Sequence, residues 1–211
     1  MKNLNELSAE ELGILFPIEI SEYNPEWKKL FENEKEHLKK HISQKDILRI
    51  THIGSTSVPG MKAKPTVDIL IEIDNKTDTS DLIHRIIGAG YSYSHQPDNP
   101  PPHMMFMKGY TPQGFKGQAF HLHIRYMGDW DEVYFRDYLI KNPLICREYE
   151  NLKLSLEKLY KNDREAYTKG KTDFVKKITS IARSIKNNPE IFHRIIFYYI
   201  NLLKTSSIFL K

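Results

Sequence analysis

HIGSTSVPGMKAKPTVDILIEI, residues His52 to Ile73, is the stretch whose reading decides the fold. It follows a strand-like run, Ile47 to Ile53, breaks at Gly54-Ser55-Thr56-Ser57-Val58-Pro59-Gly60, and re-enters an apolar strand at Thr66. Side chains alternate across a strand, so Ile69, Ile71 and Ile73 share one face, and Asp68, Leu70 and Glu72 share the other. A sheet does not need a carboxylate at the head of such a strand, which makes Asp68 a site candidate. The neighbouring turn is rich in small hydroxyl residues, and such a turn can offer N–H and hydroxyl groups to an anion such as phosphate. A plain strand–turn–strand connection with glycines at tight positions explains the stretch equally well. The commoner phosphate loop, G-x-x-x-x-G-K-[ST], is excluded. Gly54 and Gly60 are one residue too far apart, and Met61 stands where lysine is required.

GSTSVPGMKAKPTVDI resembles the signature of the GrpB family, which is grouped with the DNA-polymerase-β-like nucleotidyltransferases. The resemblance continues in HLHIRYMGDWDEVYFRDYL and in Tyr167, Lys171 and Phe174, and covers roughly Ile18 to Ser184. It implies an α+β fold, a nucleotidyltransferase-like mixed β-sheet flanked by helices with a helical C-terminal part. It implies an inherited site more than a particular substrate.

Composition bounds the rest. At 211 residues the chain suits one domain with appendages. The expected division is an N-terminal helical appendage (1–17), a GrpB-like domain (18–186) and an apolar helical tail (187–211). An apolar content of 40% and a charged content of 27% describe a soluble globular protein. The net charge of +4 permits an anionic ligand, but a concentrated basic face for duplex nucleic acid is not expected. The single cysteine, Cys146, excludes an intrachain disulfide and reads as a buried, inert thiol. MKNLNELSAEEL lacks the apolar core of a signal peptide, so a cytoplasmic location is expected.

Along the chain, Ser8 and Glu11 form a capping box for a helix to Leu15. Ile18 and Ile20 alternate as in a short strand. Asn24-Pro25 starts a helix whose stripe is Trp27, Leu30, Phe31, Leu38 and Ile42. Asp81 to Ile87 is a helix with Ser80 as its cap, ended by Gly88 or Gly90. Tyr91 to Ser94 is a strand, and the loop His95 to Pro102 could line a cleft. Met104 to Met107 is a strand, Thr111 to Gly117 a turn, and Ala119 to Tyr126 the second informative strand. There His121, His123 and Arg125 share one face, opposite Phe120, Leu122, Ile124 and Tyr126. An ordinary solvent-facing edge accounts for that face as well as a site does. Beyond it the chain is helical, with Asp129, Asn142-Pro143 and Asp163 as starts. The tail from Ile191 is interrupted too often to span a membrane and is expected to pack on the domain or on a second copy.

By resemblance, Asp68 matches the first of three metal carboxylates, and the second position is Leu70. Glu72 lies on the same face, roughly 6.5 Å farther along. The third carboxylate is replaced by His121 or His123. The expected centre is therefore Asp68, His121 and His123, serving as catalytic groups or as ligands of a divalent metal. Of Mn²⁺, Mg²⁺ and Zn²⁺, Mg²⁺ suits such a set least. The histidines could instead act as acid or base, or bind phosphate directly. Gly54, Ser55 and Thr56 are the expected phosphate cradle, with Lys64, Lys171 and Arg125 as counter-ions. His52 and Arg136 match the family pattern without an assigned role. The expected ligand is a nucleotide or a phosphorylated small molecule. The expected activity is that of a nucleotidyltransferase, or else of a nucleotide-binding or regulatory module that has lost catalysis. A partner-dependent role of the toxin–antitoxin kind is a third reading, and a homodimer through the tail would serve it.

Overall fold

The computed structural model describes residues 4–94 and 102–188. The expectations for the loop 95–101 and for the tail beyond Asn188 lie outside the described residues. Five strands form one mixed sheet in the order β1-β2-β5-β4-β3. These are β1 (Ile47–Ile53), β2 (Thr66–Ile73), β3 (Ser92–Ser94), β4 (Met104–Thr111) and β5 (Gly114–Tyr126). β2 pairs antiparallel with β1 and parallel with β5, and β4 runs antiparallel to both β5 and β3. β2 is buried along almost its whole length, as a central strand covered on both faces must be.

One face carries α2 (Glu26–His41) and α3 (Thr79–Gly88). Trp27, Phe31 and Leu38 of α2 and Leu82 and Ile86 of α3 pack there on Ile69, Ile71, Ile73, Leu122 and Ile124. The other side of the domain holds α4 (Asp131–Lys141), α5 (Pro143–Leu159), α6 (Arg164–Gly170) and α7 (Thr172–Asn187). Leu139, Ile145, Tyr149 and Ile178 of these helices meet Val58 and Met61 from the β1–β2 connection. This is the α+β class expected, and both strand faces predicted for β2 and β5 are found. Among the described residues no helix is long and apolar enough to cross a membrane.

α1 (Ala9–Leu15) has the predicted capping box, with Ser8 Oγ accepting from the Glu11 N–H and a Glu11 carboxylate oxygen from the Ser8 N–H. Phe16, just after it, is buried edge-on against Tyr110 and Phe115, with ring centroids 5.0 Å apart in each pair.

Several local expectations change. Ile18 and Ile20 form no strand. Their N–H groups go to the Lys161 carbonyl and the Glu157 carboxylate, leaving one isolated bridge from Ser21 to Ala63. The cap of α3 is Asp78, whose carboxylate accepts from the Ser80 and Asp81 N–H groups. Asp129 caps no helix, because its carboxylate is taken by Arg183 and Tyr134. The single helix expected from Asp163 is two, α6 and α7, broken at Gly170 and Lys171. β4 and β5 run to a tighter hairpin, closed at Thr111 and Gly114, because Tyr110 and Phe115 pair across it over Phe16.

Candidate functional site

The parallel register of β2 and β5 sets Asp68 beside His121, Leu70 beside His123 and Glu72 beside Arg125. The face opposite the α2–α3 core therefore carries a column of chemistry along two central strands. His121 Nδ1 lies 3.1 Å from Asp68 Oδ1, and His123 Nε2 lies 3.9 Å from the same oxygen. The other nitrogen of His121, Nε2, is 2.8 Å from the Tyr110 hydroxyl. Burial pushes the Asp68 carboxyl up, but the hydrogen bonds from His121 and His123 lead the opposing causes and hold it well below the usual carboxylate range. Burial outweighs the Asp68 attraction for His121 and moves it down. A neutral His121 in this position donates from Nδ1 to ionised Asp68 and accepts at Nε2 from Tyr110. Tyr110, held above its ordinary range chiefly by burial, keeps its proton to give.

Tyr110 was not anticipated from sequence. Strict alternation from Met105 and Met107 would put it on the face of Phe106 and Lys108. A register shift between Lys108 and Tyr110, at Gly109 with φ 89°, reverses the alternation and brings it to His121. A Cβ on Gly109 would stand 2.5 Å from the Gln118 carbonyl oxygen, so the bulge requires glycine. Gly-Tyr in the middle of a strand pattern was the one available signal.

Gly54 has φ 71° and ψ −176°, a conformation open in practice to glycine alone. A Cβ there would stand 2.2 Å from Asp68 Oδ2, so the bare backbone is what lets the loop close over the carboxylate. Ser55 lines the cavity beside it, within reach of Tyr149. Thr56 does not join them. It is buried, its hydroxyl donates to the Thr66 carbonyl, and His52 Nε2 lies 3.1 Å from it. His52 stacks on Phe31 at 4.7 Å, and burial pulls it down to about 4. Arg136 donates to the His52 carbonyl at 2.8 Å. These two residues, left without a role by sequence, hold the loop in place.

The cavity on this face has a volume of about 890 Å³. Lys64, Arg164, Lys171 and Lys153 line it, and they repel one another there. Lys64 is brought down to about 7, first by burial and then by Arg164 and Lys171, against the pull of Asp68. Lys171 falls to about 8 through burial, and so does Lys153. Lys153 donates to the Lys62 carbonyl, and Arg164 donates to the Phe16 carbonyl at 2.8 Å. Lys171 lies 4.4 Å over the Tyr167 ring. Arg164 and Lys153 sit in helices whose periodicity alone reads them as solvated, so their place was not legible. Arg125 lies at the other end of the cavity, near Glu132 and Trp130.

The residues do not fit a divalent metal in this arrangement. His121 has both ring nitrogens engaged, Leu70 is fully buried, and Glu72 is committed elsewhere. Glu72, with no exposed surface, accepts from Arg49 Nε and Nη2 and from the Gly128 N–H. Asp68 and His123 remain as two donors, fewer than a metal site requires. Among the described residues no group of three or more acidic, imidazole or thiol side chains is placed to hold an ion. Cys146 is half-buried, and burial pushes its thiol up, away from nucleophilic character.

The family model described as GrpB protein matches residues 17–180. A UPF0157 protein of Pseudomonas aeruginosa is 35% identical over 175 residues, covering 82% of this chain and 71% of the relative. The glutamate-rich protein GrpB of Alkalihalophilus pseudofirmus is 35% identical over 163 residues, covering 74% of this chain and 90% of the relative. The crystal structure of the conserved protein GrpB from Enterococcus faecalis is similar at a TM-score of 0.67 and 31% identity, over 78% of this chain and 96% of that one.

Proposed function

Because the chain belongs to the GrpB family, we propose that its nucleotidyltransferase-like fold binds a nucleotide or a phosphorylated small molecule in the cavity beside Asp68, and holds the phosphate without a metal ion. One observation carries this reading. Lys64 and Lys171 converge with Arg164 on one cavity, and among the described residues neither lysine has a carboxylate ion pair. Lysines depressed to about 7 and about 8 mark a cavity where burial and mutual repulsion outweigh the pull of Asp68 and leave the positive charge out of balance. A bound phosphate supplies that balance. Ser55 lines the same cavity, where its hydroxyl can donate to such a phosphate.

The two-metal transfer of related folds has no support in the donor set, since its second carboxylate position holds buried Leu70 and its third is replaced by His121 or His123. A binding or regulatory module is therefore the preferred form of the reading. A metal-independent enzyme is favoured by one arrangement, the Tyr110–His121–Asp68 chain. It can act as a relay, in which the Tyr110 hydroxyl takes a proton from a bound ligand's hydroxyl as it gives its own to His121 Nε2, and Asp68 stabilises the imidazolium that results.

Calorimetry in EDTA tests the first reading. Wild type should bind nucleoside triphosphates, and Lys64→Met with Lys171→Met should weaken binding at least tenfold. Binding that appears only with Mn²⁺, or that ignores both lysines, sinks it. Incubation with labelled triphosphate and candidate acceptors separates module from enzyme, because only the enzyme transfers label.

A further inference from the structure

The cavity is polar along its length in a way that the phosphate reading does not use. Its floor is the parallel seam of β2 and β5, with Met105 and Met107 of β4 alongside. From the Thr66–Ala119 pair to the Glu72–Arg125 pair is six residues, about 20 Å at strand rise. The lysines gather at the first end. The second end is built from Arg125, Trp130, His103 and Glu132. The His103 and Trp130 rings meet edge to face at 5.3 Å, and the Arg125 guanidinium carbon lies 5.9 Å from the Trp130 ring centre.

Arg125 is only 9% exposed, yet its guanidinium is incompletely satisfied. Nη1 donates to the Ile124 and Met104 carbonyls at 2.9 and 3.3 Å. Nη2 stands 4.0 Å from Glu132, and Nε, buried, has no partner among the described residues. A guanidinium has five N–H donors, and leaving several of them unused in a buried place is costly. This end therefore offers the Nη2 donors of Arg125, an acceptor from Glu132 and a flat apolar wall from Trp130, with Met105 alongside. That combination suits a planar ring whose edge carries both acceptors and N–H groups.

We propose that this end is a nucleobase subsite, so that the ligand is a nucleoside polyphosphate lying along β5. Its phosphates point toward Lys64 and Lys171, and its base lies against Trp130 with its edge toward Arg125 and Glu132. The inference rests on the phosphate reading above for the ligand's orientation. A free phosphate or a sugar phosphate would leave the Arg125 end empty, whereas a nucleoside with two or three phosphates spans the seam.

The test compares tripolyphosphate, the four ribonucleoside triphosphates and the four ribonucleosides by calorimetry in EDTA. At least one nucleotide should bind tenfold or more tighter than tripolyphosphate. Trp130→Leu should abolish that advantage and leave tripolyphosphate affinity unchanged. Arg125→Met is the more direct variant but removes a buried charge. Glu132→Gln, at a partly exposed position, is the variant that keeps the fold, and it should change the preference among the four bases. Nucleotides binding no better than tripolyphosphate, or an advantage that survives in both Trp130→Leu and Glu132→Gln, overturns the subsite and leaves the phosphate reading standing. Nucleosides binding where tripolyphosphate does not would overturn the phosphate reading and keep the subsite. Binding of neither overturns both.

Discussion

Replacing Gly54 with alanine should be far more costly in the wild-type protein than in a protein lacking the Asp68 carboxylate. Two separate penalties meet at this position. The backbone, at φ 71° and ψ −176°, is in a region that L residues occupy at a cost of about 1–3 kcal/mol. The new Cβ would also stand 2.2 Å from Asp68 Oδ2 and 2.9 Å from its Cγ, so the carboxylate must move and lose its bond to His121. A hydrogen bond to a charged group is worth about 1.5–3 kcal/mol. Gly54→Ala should therefore destabilise the wild-type protein by about 3–5 kcal/mol. In the Asp68→Ala background only the backbone strain and a residual 3.0 Å Cβ contact remain, and the cost should drop to about 1–3 kcal/mol. The readout is urea unfolding of all four proteins, accepted only where the denaturant slope is unchanged. A coupling near 2 kcal/mol is expected. If Gly54→Ala costs the same in both backgrounds, the glycine is needed only for its torsion angles, and the close approach of loop and carboxylate is not what the position selects.

Anion affinity should fall steeply as pH rises above 7, because Lys64 titrates at about 7 and Lys153 and Lys171 at about 8 when the cavity is free. A bound anion raises them again, so binding takes up protons, and calorimetry in buffers of different ionisation enthalpy should report this uptake. The same lysines set the sign for the unliganded fold. The unfolded chain holds protons that the folded lysines release, so stability should rise with pH between about 7 and 10, seen as a rising urea midpoint. Arg49→Met should cost about 2–3 kcal/mol, at the low end for a broken pair with a buried member because Arg49 is half exposed while Glu72 has no exposed surface. An unchanged urea midpoint would mean that the Arg49–Glu72 pair contributes no net stability. Tyr110→Phe should cost about 1 kcal/mol and shift the His121 Nε2 nitrogen resonance, and an unmoved resonance would remove Tyr110 from the chain.

The strands that build the site were legible because their physics is periodic. Ile69, Ile71 and Ile73 against Asp68, Leu70 and Glu72, and Phe120, Leu122 and Ile124 against His121, His123 and Arg125, are two-residue alternations that any half-polar seam must show. What those patterns could not give was register. That Asp68 faces His121 follows only from the parallel pairing of β2 with β5, and two strands 53 residues apart leave no local trace of it. Tyr110 was hidden for a sharper reason, since the register shift between Lys108 and Tyr110 inverts the alternation on which its face would be read. The cation wall was hidden by helix geometry. Arg164 and Lys153 carry the charge of a solvated stripe, and only the way α5 and α6 lean over the loop turns that charge inward.

The Glu72–Arg49 pair bears most directly on what this fold can do. Glu72 is the one further carboxylate on the Asp68 face of β2, and at four residues along the strand, about 13 Å, it is too far to share an ion with Asp68. Its two oxygens are already filled by Arg49 across the β1–β2 pairing and by the Gly128 N–H. Freeing it would strand a buried carboxylate without a counter-charge, at a cost of several kcal/mol. The acid that remains, Asp68, faces imidazoles rather than a second carboxylate. The charge around it is positive, supplied by Lys64, Lys171 and Arg164. Arg49→Met should therefore destabilise the fold without creating divalent-ion binding, as read by urea unfolding and by calorimetry with Mn²⁺. Mn²⁺ binding by the variant would overturn the reading of Glu72 as a piece of the core.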